Sequence, residues 1–218
     1  MNRAISKEQA LTVASGLLEK GLLELHLPLD KEQQGRLMQY LALLDKWNQV
    51  YNLTAIRDVT KMVGAHLLDS LSVVPFLSDE NVLDVGSGAG LPGIPIAVAK
   101  PKCNVTLLDS NHKKAAFLRQ AVADLALKNA NVVCDRVESW AAPTKVGVII
   151  SRAFSDLGEF VSLTSHLLAP GGVLAAMKGL YPFEELERLP SEFRVREIRA
   201  LQIPGLAAER HLVLIERA

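Results

Sequence analysis

The 218-residue chain predicts an α/β fold, a mostly parallel seven-stranded sheet whose last strand runs antiparallel, preceded by a helical extension. Three observations carry this. An apolar run ends in an acid and a glycine-rich turn, Val82-Leu83-Asp84-Val85-Gly86-Ser87-Gly88-Ala89-Gly90-Leu91-Pro92-Gly93. Strand and helix patterns then alternate, which produces parallel strands covered on both faces. Finally, Arg194 to Gln202 and His211 to Glu216 read as two strands separated by a loop at Pro204-Gly205. That loop is too short for a crossover helix, so the last pair runs antiparallel.

The first third is helical. Ser6-Lys7-Glu8-Gln9 has the form of a capping box. Leu11, Ala14, Leu18, Leu22 and Leu25 follow at helical spacing. Asp30 caps a second helix with Leu37, Tyr40, Leu41, Leu44 and Trp47 on one side, broken from Asn48 to Thr54. A third helix is expected from Asp58 to Pro75. These elements define an extension over residues 1–78 and a domain over 79–218.

Past the glycines, Ile94 to Ala99 reads as a helix, and Val105 to Asp109 as a strand ending in an acid. A helix over Lys113 to Lys128 leads to a strand at Asn131 to Cys134, followed by Val137-Glu138. Val146 to Ile150 is a strand ending at Ser151-Arg152-Ala153. A helix over Asp156 to Leu168 stops at Ala169-Pro170-Gly171-Gly172, and Val173 to Met177 is the fifth strand.

Bulk charge selects no partner. Lys and Arg total 24 and Asp and Glu total 24. Eight of each fall in residues 1–78 and sixteen of each in residues 79–218, so nucleic acid binding would need a local patch. Cys103 and Cys134 lack metal or redox spacing and read as reduced thiols of a cytoplasmic protein. Five scattered histidines predict no metal site. Lys7, Glu8, Glu19 and Lys20 interrupt the first apolar positions, which argues against an export signal or a membrane span.

The turn admits two nucleotide-type ligands. Gly88-Ala89-Gly90-Leu91-Pro92-Gly93 satisfies the dinucleotide pattern, with Asp109 at the spacing expected for a ribose-binding acid. Asp84 discriminates, because a carboxylate there repels a pyrophosphate but favours the ammonium and sulfonium of S-adenosylmethionine, directly or through water. Together with the antiparallel tail, this resembles the class I S-adenosylmethionine-dependent methyltransferase fold, a Rossmann-like sheet. The fold places Gly88, Gly90, Asp109 and Ser110 at the cofactor, with Glu138 and the Val137 backbone at the adenine.

A narrower resemblance rests on several blocks together. They are Lys46-Trp47-Asn48, Tyr51-Asn52-Leu53-Thr54, His66-Leu67-Leu68-Asp69-Ser70, the run Asp84 to Pro95, Leu107-Leu108-Asp109-Ser110, Phe117-Leu118, Ile150-Ser151-Arg152-Ala153 and Glu209-Arg210-His211. The chain resembles the bacterial GidB/RsmG family of 16S rRNA guanine-N7 methyltransferases over essentially its whole length. The resemblance implies a cofactor site using Gly86, Leu91, Val137, Glu138 and Arg152, and 16S rRNA of the small ribosomal subunit as partner.

Guanine N7 carries a free lone pair, so no general base is expected and none is assigned. Amino-methylating enzymes show an Asp/Asn-Pro-Pro-aromatic block after the fourth strand, where this chain has Ser151-Arg152-Ala153-Phe154. Arg57, His66, Arg119, Arg136, Arg152 and Lys178 are the candidate RNA contacts at the carboxyl ends of the strands. A monomer is the favoured state. Methylation of a small molecule or protein, with the first helices as a lid, is the nearest alternative. A nucleotide-binding oxidoreductase or sensor is the next.

Overall fold

The computed structural model describes residues 6–78 and 81–218, so the boundary placed after Ser78 abuts Asp79, outside the described residues. Helix α1 spans Lys7–Glu24 and α2 spans Lys31–Tyr51. Each opens on a reciprocal capping box, Ser6 with Gln9 and Asp30 with Gln33. The α2 helix runs through the expected break at Asn48 and stops at Asn52, whose φ of 49° is left-handed. Asparagine tolerates this because its short polar side chain bonds locally.

The expected third helix is subdivided. After α3 (Val59–Met62) the chain widens into a π-helical stretch, Val63–Leu68, then tightens into α4 (Asp69–Leu71) and a 3₁₀ turn at Val74–Phe76. The Ala65 carbonyl of this widened turn accepts from Arg152 at 3.2 Å.

The strands are β1 (Val82–Val85), β2 (Val105–Leu108), β3 (Ala130–Val133), β4 (Val146–Ser151), β5 (Leu168–Lys178), β6 (Phe193–Ala200) and β7 (His211–Arg217). Their order is β3-β2-β1-β4-β5-β7-β6. Neighbouring strands from β3 to β5 are parallel, and β7 pairs antiparallel with both β5 and β6. The remaining helices are α5 (Gly93–Ala99), α6 (His112–Asp124), α7 (Leu157–Thr164) and α8 (Phe183–Glu187). α6 ends four residues before the expected Lys128, and Ala126 beyond it has a left-handed φ of 49°.

β5 begins at Leu168, within the stretch expected to be helix and loop. Leu168 pairs with Val146, and a register shift lies between Val146 and Val148. Gly172 is required there, because a Cβ would lie 2.8 Å from the Gly147 carbonyl oxygen.

The sheet divides the core. On one face Tyr40, Leu41 and Leu44 of α2 and Leu67 and Leu71 join Ile94, Ile96, Phe117 and Leu118 in one buried cluster. On the other, Leu157, Phe160 and Val161 of α7 cover Leu83, Ile149 and Leu174. Between β1 and β4 the chain reverses its order of strand addition. The crevice at the carboxyl ends of such strands is where open α/β sheets bind ligands.

Candidate functional site

The turn after β1 is built by glycines and held by two acids. Gly86, Gly88 and Gly90 have φ of 70°, 57° and 88°, a region side chains disfavour. At Gly86 a Cβ would also lie 2.9 Å from the Ala153 Cβ, so β1 and the segment after β4 meet on bare backbone. Asp109 Oδ2 accepts from the Gly88 N–H at 2.8 Å, and Oδ1 from the Asn111 N–H at 2.8 Å. Each oxygen retains a lone pair for a ribose hydroxyl.

Asp84 does not line the ligand crevice. It is fully buried in β1, and Oδ2 accepts from the Gly93 N–H at 2.9 Å. Burial pushes its carboxyl up to about 7, against the Gly93 hydrogen bond, which favours the charged form. From this position Asp84 makes no direct contact with a ligand in the crevice and acts on the turn instead. Among the described residues none hydrogen-bonds the buried Oδ1. Tyr40 completes the support, its hydroxyl donating to the Ala89 carbonyl at 2.5 Å. Full burial pushes that phenol far up, so it stays a neutral donor.

A cavity of about 360 Å³ opens at the carboxyl edge. It gathers the predicted Gly86, Asp109, Ser110, Val137 and Glu138 with the predicted RNA contact Arg136. Lys114, Asp135, Ala153 and Phe154 also line it. Gly88, Gly90 and Leu91 sit behind this surface, with Leu91 buried and Gly90 packed toward Ile94.

Arg152 lies outside the cavity lining. Its guanidinium donates to Asp69 Oδ2 at 3.0 Å and to the Ala65 carbonyl at 3.2 Å. Arg210 donates through Nε to the other oxygen of Asp69 at 3.0 Å. Asp69 is 1% exposed, so one enclosed carboxylate bridges two arginines from distant parts of the chain. Sequence reasoning quoted the blocks holding Asp69 and Arg210 but gave neither a role. The one available signal was an acid inside an otherwise apolar helical run.

The other predicted RNA contacts divide. Arg119 on α6 and Arg136 are exposed. Arg57 donates to the Asn48 carbonyl and to Asn52 Oδ1, closing the end of α2. His66 is buried and shares a 2.8 Å hydrogen bond with Thr54. Desolvation, then the Arg152 charge, lowers its pKa and favours the neutral ring. Lys178, another candidate RNA contact, is held in an internal ion pair. Its ammonium donates to Ser155 O and Glu185, both at 2.8 Å, and its side chain is 10% exposed.

The site fits a nucleoside that carries positive rather than negative charge. Asp109, Asp135 and Glu138 outnumber Lys114 and Arg136 around the cavity. A pyrophosphate would face this acid excess, whereas an adenosine bearing a sulfonium would not.

Sheet order, antiparallel β7 and glycine turn define a class I S-adenosylmethionine-dependent methyltransferase fold. Solved structures share it. The glycopeptide N-methyltransferase MtfA, complexed with S-adenosyl-L-methionine, superposes with a TM-score of 0.58 at 13% identity, covering 70% of this chain and 87% of that one. TrmN from Thermus thermophilus gives 0.53 at 22% identity, covering 73% and 48%. The family described as rRNA small subunit methyltransferase G matches residues 33–213, and the chain belongs to it. Ribosomal RNA small subunit methyltransferase G of Laribacter hongkongensis is 56% identical over 196 residues, 90% of this chain and 95% of that protein. Its namesake in Neisseria meningitidis serogroup B is 50% identical over 201 residues, 92% and 97%.

Proposed function

We infer that this chain transfers a methyl group from S-adenosyl-L-methionine to N7 of a guanine in the 16S rRNA of the small ribosomal subunit. Family membership supports the rRNA substrate. The observation that carries the cofactor is the acid-rich cavity at the sheet's crossover point, walled by Gly86, Asp109 and Glu138.

When bound, the cofactor supplies an electrophilic methyl group on sulfur. Asp109 and Ser110 serve the ribose, and Val137 and Glu138 serve the adenine. Gly86, Gly88, Gly90 and Leu91 shape the turn that carries the rest, and Arg152 stands beside it. N7 needs no deprotonation, so these residues contribute orientation and exclusion of water rather than proton transfer. Arg136, on the cavity rim, and Arg119 are the exposed cations offered to RNA. Residues 1–78 form the helical extension and 79–218 the methyl-transfer domain of a cytoplasmic, monomeric enzyme.

Labelled S-adenosylmethionine supplied with small subunits, naked rRNA and a metabolite pool tests this. Label on rRNA, mapped by strand scission at N7-methylguanine, is the expected result. Label confined to metabolites overturns it.

A further inference from the structure

Three large apolar side chains stand in solvent just past the carboxyl end of β5, where a small protein rarely leaves them without use. Leu180 is 75% exposed, Phe183 72% and Tyr181 37%. The Tyr181 and Phe183 rings lie 4.4 Å apart, and Tyr181 meets His211 edge-on at 5.5 Å. Their base is fixed on two sides. Lys178 ties the loop to Ser155, and Glu185 of α8 accepts from both Lys178 and the Leu157 N–H at 2.8 Å.

Charge of both signs borders this loop: Glu184 and Glu187 of α8 are exposed beside Phe183, and a guanidinium lies at Gly179. A Cβ at Gly179 would lie 3.9 Å from Arg210 Nη1, so that guanidinium borders the loop. Arg152 and Arg210 share the single carboxylate of Asp69, and among the described residues neither pairs with a second acid. The Asp69 clamp therefore carries a net positive charge, and both guanidiniums are partly exposed.

The geometry points to a nucleotide-binding subsite in which Tyr181 and Phe183 stack against an unpaired RNA base while Arg210 meets its phosphate. Aromatic faces accept any base, and a guanidinium matches phosphate geometry. The segment after β4, which lines the cofactor cavity at Ala153 and Phe154, is joined to this loop through the Lys178–Ser155 contact. RNA held there is anchored beside the acceptor position. The inference rests on the rRNA-methylating reading above.

Phe183→Ala, Phe183→Leu, Phe183→Trp and Tyr181→Ala in the full chain test it by two readouts. The first is the apparent KM for small subunits alongside S-adenosylhomocysteine affinity. The second is quenching of a short single-stranded RNA carrying 2-aminopurine, which needs no methyl transfer. We expect Phe183→Ala and Tyr181→Ala each to weaken RNA binding about tenfold, with cofactor affinity unchanged. Phe183→Trp should retain binding, and Phe183→Leu should not. Wild-type affinity in Phe183→Leu, or unaltered RNA quenching in both alanine variants, overturns the subsite. Normal RNA quenching with lost subunit methylation reassigns the rings to a ribosomal protein and also overturns it. If wild type methylates no rRNA, the functional reading fails, and the quenching series still decides the subsite.

Discussion

Replacing Asp69 by alanine removes an acid that joins the helical extension to two later segments. The carboxylate is 1% exposed and accepts from Arg152 Nη1 and Arg210 Nε, each at 3.0 Å. Hydrogen bonds to charged groups contribute about 1.5–3 kcal/mol each. Breaking a buried pair by deleting one partner costs about 3–5 kcal/mol, because the surviving charge stays behind. Two partly enclosed guanidiniums would be stranded here, so we expect a loss of about 3–5 kcal/mol. In a chain of this length that lowers Tm by roughly 6–20 °C. Asp69→Asn keeps one acceptor oxygen and should fall between. Arg210→Ala should cost less than Asp69→Ala, since Asp69 then still holds Arg152. Denaturant unfolding gives the stabilities, and calorimetry with S-adenosylhomocysteine tests whether Arg152 is displaced, with about a tenfold loss of affinity expected. Asp69→Ala within about 1 kcal/mol of wild type, with cofactor affinity intact, would refute this reasoning.

Three other substitutions probe the cavity and its support. Gly86→Ala places a Cβ 2.9 Å from Ala153 at a φ of 70°. It should cost about 1–3 kcal/mol and abolish measurable cofactor binding; full binding would show the turn tolerates a side chain. Glu138→Gln alters an exposed cavity carboxylate and should weaken cofactor affinity about fivefold without moving Tm, read by calorimetry and scanning fluorimetry. Asp84 has an acid pKa raised by burial from 3.8 to about 7, so the folded chain binds its proton more tightly than the unfolded chain. Stability should fall as pH rises between those values, by on the order of 4 kcal/mol. Asp84→Asn should flatten that slope in urea titrations at successive pH values, and parallel slopes would count against the buried acid as its cause.

The sheet was legible because its signals are local. Alternating apolar runs ended at Asp84, Asp109 and Ser151, and glycines marked the turn. The tail pair followed from loop length alone. The π-helical stretch Val63–Leu68 and the Asp69 clamp were not legible, since the clamp joins residues 83 and 141 positions apart. The pairing of Lys178 with Glu185 was not legible, because Glu185 lies on α8, a five-residue helix whose periodicity is too short to notice. The early start of β5 depends on Gly147 and Gly172 approaching across two strands. Asp84 was recognised as important, but its direction was not, because neighbouring strand residues face opposite sides of a sheet.

The helical extension is integral to the site rather than a lid over it. Tyr40 of α2 holds the Ala89 carbonyl inside the glycine turn, and Gln33 donates to the Val98 carbonyl at 2.9 Å, at the end of α5. Asp69 of α4 holds Arg152 after β4 and Arg210 before β7. Tyr40, Leu41 and Leu44 are fully buried in the same cluster as Ile94 and Phe117. A lid that swung away would strand the Ala89 carbonyl and two guanidiniums while exposing that cluster to water. Each stranded polar group costs about 1–3 kcal/mol, and each exposed leucine a similar amount. Such an opening approaches the whole stability of a typical domain, about 5–15 kcal/mol. The extension therefore folds with the sheet, and the cavity opens at the carboxyl edge, beside Phe154.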